Sequence, residues 1–302
     1  MQKVLQVLIG KYKPQIDQEI ERELAKRLVE VGEISPEIGK VVTAMQELSV
    51  GGKRLRGLLT ILGYELAGAK ASAEVVKAGV IMELFHLGLL IQDDVMDRDS
   101  LRRTVQTIHA RYTDLHLGES IAICAGDLTF GWGMEILANL KSQIKNSQIV
   151  EAMEVWGKYF ARVGYGQMLD VSKIADEETL LSILNLKSGE YTCVLPLLFG
   201  ATLGGASEEL KVGLVKYGME LGWVFQLRDD WLGEFGESAK TGKPVGNDSR
   251  EGKKTMATMY GKERLEVEIK RHWEEGKKTL QGQALKGGVL EELLAWVATR
   301  ES

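Results

Sequence analysis

The chain has 302 residues, of which 44% are hydrophobic and 27% are charged, a composition typical of a soluble globular protein with a sizeable core. The formal net charge of -5 argues against nucleic acid as a partner, and no uninterrupted apolar run is long enough to predict a transmembrane segment. Cys124 and Cys193 lack a paired metal spacing and are interpreted as buried free thiols in a reducing cytoplasm.

Helical periodicity runs through nearly the whole chain. In chain order it is clearest in a leucine stripe over 55–62, an almost wholly apolar segment over 80–91, a segment over 117–137 and a stripe over 181–198. Breaks between helices are predicted at 31–36, 67–73, 99–106, 141–147, 174–177, 204–208 and 234–252. Few segments alternate with period two. The sequence therefore predicts an all-α fold, a single-domain bundle of ten or more helices over residues 1–302.

The longest polar stretch covers 234–254 and contains four glycines and one proline. Glycine and proline disfavour a helix interior, so this stretch is predicted to be a loop. A loop of that length inside a compact helical protein usually has a function, such as covering a site.

Two acidic pairs close apolar helical segments. Asp93 and Asp97 are four residues apart, which places both carboxylates on one helix face. A solvated helix end is the ordinary interpretation, but acidic groups oppose the macrodipole at a helix C-terminus and also repel each other. A bridging hard cation such as Mg²⁺ would compensate both effects. Asp229 and Asp230 end a second apolar segment in the same way, so two helix ends are predicted to face each other across a cavity and hold Mg²⁺.

Basic residues accompany both clusters. Lys53, Arg54 and Arg56 follow paired glycines in GGKRLRG, where open backbone N–H groups suit phosphate oxygens. The remaining basic candidates are Arg102, Arg103, Lys187 and Lys243. A single lysine of this kind is more often a surface residue. Cations beside both acidic clusters nevertheless indicate polyanionic ligands that need Mg²⁺ and Arg or Lys together.

With these residues in view, the chain resembles the trans-isoprenyl diphosphate synthases, or polyprenyl synthetases, over nearly its whole length. DDVMD at 93–97 is similar to the first aspartate-rich motif of that family. Further motifs follow in family order: GGKRLR at 51–56, His86, LRR at 101–103, GQMLD at 166–170, LKSG at 186–189, FQLRDD at 225–230 and GKPVGND at 242–248. The resemblance implies an isoprenoid-synthase bundle around a central cavity.

The resemblance also implies the reaction and the role of each site residue. An allylic diphosphate ionises with Mg²⁺ assistance, and the double bond of isopentenyl diphosphate attacks the resulting cation. The implied Mg²⁺ ligands are Asp93, Asp97 and Asp229, supported by Asp94 and Asp230. Cations gripping the allylic diphosphate would be Arg102, Lys187 and Lys243, with Gln167, Ser188 and Gln226 near that substrate. The implied site for isopentenyl diphosphate comprises Gly52, Lys53, Arg56, His86 and Arg103.

Three departures from the family pattern leave alternatives open. Gly233 replaces the usual third aspartate of the second motif, Gly57 replaces a frequent proline, and 104–106 lacks the usual glycine and proline. One alternative is a catalytically weak regulatory or structural subunit of a heteromeric synthase. The other is a class I terpene cyclase, which would have no use for a second diphosphate site.

Partner and product length are expected as follows. The resemblance implies a homodimer, and the stripe over 117–137, interrupted by Gly131 and Gly133, is the expected contact.

The growing product should descend along the helix wall before Asp93, past Leu89 and Gly88 to Phe85, about 12 Å down at the usual rise per residue. Because Gly88 offers no bulk, Phe85 is expected to be the first large ring that the product meets. The expected product is C20, with C25 a nearer alternative than C15.

Overall fold

The structure is a computed structural model that describes residues 3–70, 72–142, 144–172, 174, 176–236, 255–282, 285 and 288–300. Its α-helices are α1 Lys3–Gly32, α2 Pro36–Ser49, α3 Leu55–Leu66, α4 Ala73–Asp97, α5 Leu115–Asn139, α6 Asn146–Val171, α7 Glu177–Ile183, α8 Leu195–Leu203, α9 Glu208–Phe235, α10 Met256–Thr279 and α11 Val289–Thr299. Strands β1 Leu101–Arg102 and β2 Val105–Gln106 form a hairpin. The prediction of an all-α fold with ten or more helices is confirmed.

Helix ends follow local capping chemistry. Ser35 accepts a hydrogen bond from the backbone of Glu37 at the start of α2, and Asp176 and Ser207 cap α7 and α9 in the same way. Six of the seven predicted breaks coincide with helix ends, whereas most of 234–252 lies outside the described residues. The sequence missed the break at 50–54 between α2 and α3, which carries part of the site.

A π-helical segment, Leu184–Val194, joins α7 to α8 without interruption. Its wider turn shifts the side chains relative to an α-helix, and such segments occur frequently at functional sites. Helical periodicity predicted the surrounding stripe over 181–198 but carries no signal for this change of pitch.

Helix α4 lies at the centre of the bundle, and its buried side chains contribute to two of the three hydrophobic clusters. One cluster joins it to α1, α2, α3 and α5, and another joins it to α6, α8 and the π-helical segment. Helices α3 and α8 approach closely because Gly63 and Gly200 lack side chains: an added Cβ would lie 2.1 Å from the Leu197 carbonyl oxygen and 1.8 Å from that of Thr60. This packing fixes α3 and α4, and with them the loop that precedes α3.

Helix α5 is the one described helix that is long and apolar enough to cross a membrane by length and composition, with 39% of its most apolar window buried. The same test is passed by core helices of soluble proteins.

Cys124 lies on the exposed side of α5 and Cys193 is buried. The prediction of two buried thiols is therefore wrong for Cys124, because the outer face of this helix is itself apolar.

Candidate active site

The first acidic cluster ends α4, and its three carboxylates differ in how deeply they are buried. Asp94 is 1% exposed and forms an ion pair with Arg102 at 2.6 and 2.8 Å from its Oδ1 atom. Burial raises the pKa of Asp94, and the hydrogen bond from Arg102 opposes that shift. Asp94 thus anchors the β1–β2 hairpin, and this pair also occupies the guanidinium of Arg102.

Asp93 and Asp97 point to more open surroundings. Asp93 is half-buried and its Oδ1 accepts a hydrogen bond from Nε2 of Gln167 on α6 at 2.7 Å, while Asp97 is exposed. Gln167 is therefore placed beside the first acidic cluster, as the sequence predicts. This hydrogen bond joins α6 to the acidic end of α4.

The hairpin after α4 forms its turn without glycine or proline. Arg103 and Thr104 both have positive φ, at 49° and 69°, between the paired residues Arg102 and Val105. Two consecutive positive φ values characterise a type I′ turn, which glycine and asparagine normally occupy at lower conformational cost. Arg103 donates to the Val50 carbonyl at 3.1 Å, so this strained turn directs its side chain towards the loop before α3.

The second acidic pair also consists of one buried carboxylate and one more exposed carboxylate. Asp230 is 9% exposed and accepts hydrogen bonds from Gln226 at 2.8 Å and from the backbone of Met256 at 3.2 Å. Asp230 therefore ties α9 to the start of α10. Asp229 remains 42% exposed at its side chain, and its Oδ1 atom lies 2.6 Å from a guanidinium nitrogen of Arg300.

A cavity of ≈350 Å³ lies between α6, the π-helical segment and α9. Lys187 forms an ion pair with Asp170 at 2.5 Å across it, and the Ser188 hydroxyl donates to Gln226 at 2.9 Å. Asp229 lines the same cavity. The structure thus brings together Lys187, Ser188, Gln226 and Asp229, which the family motifs assign to the allylic substrate. Lys243 lies outside the described residues.

A second cavity, of ≈400 Å³, opens beside the loop before α3 and also contains Asp229 in its wall. Its lining includes all five residues expected to bind the second diphosphate: Gly52, Lys53, Arg56, His86 and Arg103. Burial lowers the pKa of Lys53, to which the nearby charge of Arg300 also contributes. The pKa of Arg103 is likewise lowered by burial and by neighbouring cations. An excess of positive charge is typical of a site for a polyanion.

Three polar atoms of residues that line this cavity are buried without a hydrogen-bond partner: Nε of Arg56, Nδ1 of His86 and Nε of Arg300. Buried polar groups in native proteins are almost always satisfied, and a polar ligand in this cavity would supply partners for these atoms. A guanidinium nitrogen of Arg56 donates to the Thr192 hydroxyl at 2.7 Å, and the group lies over the Tyr191 ring at 4.6 Å. Burial and the charge of Arg56 lower the pKa of His86 well below its usual value, which keeps its imidazole neutral.

Arg54 has a structural part in the loop. It has a left-handed φ of 55°, donates to Asp17 and to the Ser49 carbonyl at 2.6 Å each, and lies 3.6 Å from Glu83. Glu83 also accepts the backbone N–H of Gly57 at 2.9 Å. Proline has no such donor, so Gly57 at this position allows α4 to cap the first turn of α3.

Gly88 does not leave the open space that the sequence suggests. A Cβ on Gly88 would lie 2.1 Å from the Thr129 hydroxyl, 2.8 Å from the Gly126 carbonyl oxygen and 3.1 Å from the Phe130 ring. Gly88 therefore serves the close contact of α4 with α5. The expectation that Phe85 is the first large ring below Asp93 stays a prediction, and the structure adds that Phe130 from the neighbouring helix lies beside Gly88.

Phe85 is 1% exposed and belongs to an aromatic cluster from three helices. Its ring centroid lies 4.6 Å from Trp156 and 6.0 Å from Phe130, and Phe130 lies 4.7 Å from Phe160. The rings of Phe130 and Phe160 are only half-buried, as is Leu89 on α4. These three side chains are therefore more exposed than Phe85, which lies behind the two rings.

Sequence reasoning missed Arg300, Thr192, Tyr191 and Glu83 as residues that position the site. Arg300 meets Asp229 across 71 positions of the chain, and no local pattern marks such a contact. Of these four residues, only Glu83 could have been found from the sequence. It lies in the apolar segment over 80–91, and a carboxylate in a buried helix requires a partner.

The carboxylates that the family motifs assign to metal binding suit a hard divalent cation that also binds phosphate oxygens of a substrate. Among the described residues, no group of three His, Cys, Asp or Glu side chains is arranged to enclose a metal. Mg²⁺ is commonly bound through one or two carboxylates together with substrate phosphates and water, so a complete protein cage is not required. Asp93, Asp97 and Asp229 supply oxygen donors of this kind.

Comparison with known proteins gives consistent results. A sequence model described as polyprenyl synthetase matches residues 39–286. The chain is 33% identical over 247 residues to a short chain isoprenyl diphosphate synthase of Methanocaldococcus jannaschii, covering 80% of this chain and 72% of that protein. It is 35% identical over 219 residues to a geranylfarnesyl diphosphate synthase of Aeropyrum pernix, covering 70% and 67%.

A similar solved structure is geranylgeranyl pyrophosphate synthase from Corynebacterium glutamicum, complexed with isoprenyl diphosphate and magnesium. It superposes with a TM-score of 0.85 at 25% identity, covering 96% of this chain and 99% of that one. The similarity therefore extends beyond the matched sequence region to nearly the whole arrangement of helices.

Proposed function

Because the chain belongs to the polyprenyl synthetase family and is a trans-prenyltransferase, we propose that the two cavities bind its two diphosphate substrates. The 350 Å³ cavity takes an allylic diphosphate and the 400 Å³ cavity takes isopentenyl diphosphate. The observation that carries this assignment is the position of Asp229, which lines both cavities. The two substrates would meet at that shared wall.

The allylic side provides both a leaving-group site and a cleft for cations. Asp93, Asp97 and Asp229 would hold Mg²⁺, which supplies charge stabilisation for the departing diphosphate when bound. Lys187 is held by Asp170 at 2.5 Å and can exchange that partner for phosphate oxygens. Arg102 takes part through Asp94 as a positioning residue, since their ion pair fixes the end of α4.

The second cavity holds the nucleophile. Nε of Arg56 and Nδ1 of His86 would each gain a phosphate oxygen as partner. Lys53 and Arg103 add charge without a metal ion, so this substrate binds through protein groups alone. Fixing both substrates converts their encounter into an intramolecular step. The double bond of isopentenyl diphosphate then attacks the allylic cation, which forms the new C–C bond and leaves a tertiary cation. Loss of one proton from the adjacent CH₂ group to the released diphosphate forms the new double bond.

The apolar side chains of α4, α5 and α6 would enclose the hydrocarbon chain and exclude water from the cation. We assign the floor of this space to the half-buried pair Phe130 and Phe160, which lie 4.7 Å apart, with Phe85 supporting them from behind. The proposed product is C20 geranylgeranyl diphosphate. The geranylgeranyl and geranylfarnesyl synthases among its relatives support a product of that size.

The proposed assembly is a homodimer formed through α5. Leu117, Cys124, Leu128 and Gly131 recur on one exposed face of this helix, and nothing lies within 4 Å of a Cβ added at Gly131. Gly133 was expected on the same face but lies inside, where an added Cβ would be 2.3 Å from Phe85. Sedimentation should give twice the monomer mass of 33.4 kDa at micromolar concentration, and a stable monomer would refute the dimer.

Incubation with labelled isopentenyl diphosphate, Mg²⁺ and allylic primers of increasing length tests the activity. Prenyl diphosphates should form only when both substrates and Mg²⁺ are present, and a chelator should abolish the reaction. Consumption of the allylic substrate alone would indicate a cyclase. Complete inactivity of the folded protein would indicate a subunit that depends on a partner.

A further inference from the structure

Arg300 follows α11 directly and its side chain is 4% exposed. One guanidinium nitrogen lies 2.6 Å from Oδ1 of Asp229 and donates to the Phe225 carbonyl at 2.8 Å. The group also lies over the Phe225 ring at 4.2 Å, and its own carbonyl accepts from Arg228 at 2.9 Å. Helix α9 thus holds Arg300 at both the backbone and the side chain.

This ion pair occupies the carboxylate that both cavities share. A divalent cation bound to Asp229 would lie within a few ångströms of the guanidinium, where two positive groups repel strongly. The Arg300–Asp229 ion pair and a cation bound to Asp229 therefore compete for the same carboxylate. Arg300 also lines the 400 Å³ cavity with Lys53 and Arg56, so a released guanidinium has space in that cavity.

Arg300 is incompletely satisfied where it lies. Its Nε atom is buried and has no hydrogen-bond partner, whereas one terminal nitrogen contacts both Asp229 and the Phe225 carbonyl. Its charge also contributes to lowering the pKa of Lys53 nearby. The Arg300 guanidinium is held mainly by the Asp229 carboxylate and the Phe225 carbonyl. When a metal ion binds Asp229, the guanidinium therefore loses its main anionic partner.

We propose that Arg300 is the counter-ion of Asp229 in the cation-free protein and that a divalent cation must displace its guanidinium to bind. Arg300 is then a positioning residue that holds the carboxylate ready and sets how tightly the cation binds. This inference rests on the proposed role of Asp229 as a cation ligand. It adds a competitor for that ligand which none of the family motifs in the sequence contains.

The test measures binding of Mn²⁺ alone, because carboxylate oxygens suit Mn²⁺ as they suit Mg²⁺ and the free aqueous ion is quantified by its EPR spectrum. Arg300→Gln should tighten binding about two- to fivefold, the effect expected when a competing ion pair with a partly exposed carboxylate is removed. Arg300→Lys should remain near wild type. Arg271→Gln, which removes a surface pair with Glu268 at 2.6 Å, is the matched control and should have no effect.

Asp229→Asn separates the two levels of the argument. It should weaken binding, and adding Arg300→Gln to it should then cause no further change. Equal affinities of wild type and Arg300→Gln, with Asp229→Asn weakened, would overturn the competition and leave the proposed function standing. Unchanged affinity of Asp229→Asn would overturn the cation site itself.

A measurement on the wild-type protein covers the case in which Arg300→Gln does not fold. Nitrogen-15 spectra of arginine Nε–H groups should contain a slowly exchanging signal from the buried Arg300, identified by its absence in Arg300→Lys. Adding Mg²⁺ should restore fast exchange with water to that signal. A signal that stays protected at saturating Mg²⁺ would contradict displacement.

Discussion

Replacing Gly233 by aspartate tests the reading of the second acidic cluster. Gly233 is four residues after Asp229 on α9, so a new carboxylate would stand about 5–6 Å from it on the same helix face. Nothing lies within 4 Å of a Cβ added there, so the side chain fits without repacking. The present chain thus lacks a third carboxylate at a position that can accept one.

The magnitude follows from charge and distance. A carboxylate about 5 Å from a divalent cation gains roughly 1–2 kcal/mol in a water-like dielectric, and salt reduces this to about 1 kcal/mol. The expected result is about a fivefold lower Mg²⁺ concentration at half-maximal activity, since 1.4 kcal/mol corresponds to tenfold. Stability should change little, because the gain in helix propensity over glycine offsets an acidic group near a helix C-terminus.

The assay is the Mg²⁺ dependence of prenyl transfer at saturating substrates, with Mn²⁺ binding by EPR as a readout independent of turnover. Gly233→Ala is the matched control: it should stabilise the helix by up to about 1 kcal/mol and leave the Mg²⁺ dependence unchanged. An equal shift in both variants would mean that the backbone, and not the charge, is responsible. No shift in Gly233→Asp would refute the placement of the cation beside Asp229.

Three further predictions concern packing, pH and product length. Gly88→Ala should lose about 1–3 kcal/mol of unfolding free energy in urea through overpacking, since its Cβ would lie 2.1 Å from a side-chain oxygen of α5, whereas Gly10→Ala, with nothing within 4 Å, should gain stability. His86 has a folded-state pKa below its unfolded value, so the free energy of unfolding is highest above about pH 6.5 and declines as the pH falls towards the folded-state pKa. His86→Gln should flatten the slope of the unfolding free energy against pH by up to about 1.4 kcal/mol per pH unit, and equal slopes in both proteins would contradict this. Phe160→Ala should lengthen the products seen by chromatography, whereas Phe85→Ala should chiefly destabilise the fold by about 3–5 kcal/mol, and longer products from Phe85→Ala alone would return the floor to that residue.

The acidic helix ends and the glycine-rich basic loop were predictable because their signals are local. Asp93 and Asp97 lie four residues apart on one helix, and a helix that is otherwise apolar makes them conspicuous. Which carboxylate of each pair turns inward was not predictable. Asp94 and Asp230 turn inward to Arg102 and Gln226, and these partners are known only once the helices are packed.

The wall below the first acidic cluster was predicted from one helix alone. Helix geometry places Gly88 and Phe85 correctly along α4, but the space beside Gly88 is filled by Thr129 and Phe130 of α5. The contact of Arg300 with Asp229 was missed for a similar reason, since it joins residues distant in sequence. Periodicity predicts which face is apolar, and only tertiary packing decides what that face meets.

The most direct test of the account compares how two variants bind the two substrates. Equilibrium binding of isopentenyl diphosphate without metal, and of an unreactive allylic diphosphate analogue with Mg²⁺, is measured for wild type, Arg56→Gln and Asp93→Ala. Arg56→Gln should weaken isopentenyl diphosphate at least tenfold, the usual cost of removing a charged hydrogen-bond partner, and Asp93→Ala should weaken only the allylic analogue. Loss of both ligands in each variant, or the reverse assignment, would contradict two separate diphosphate sites meeting at Asp229.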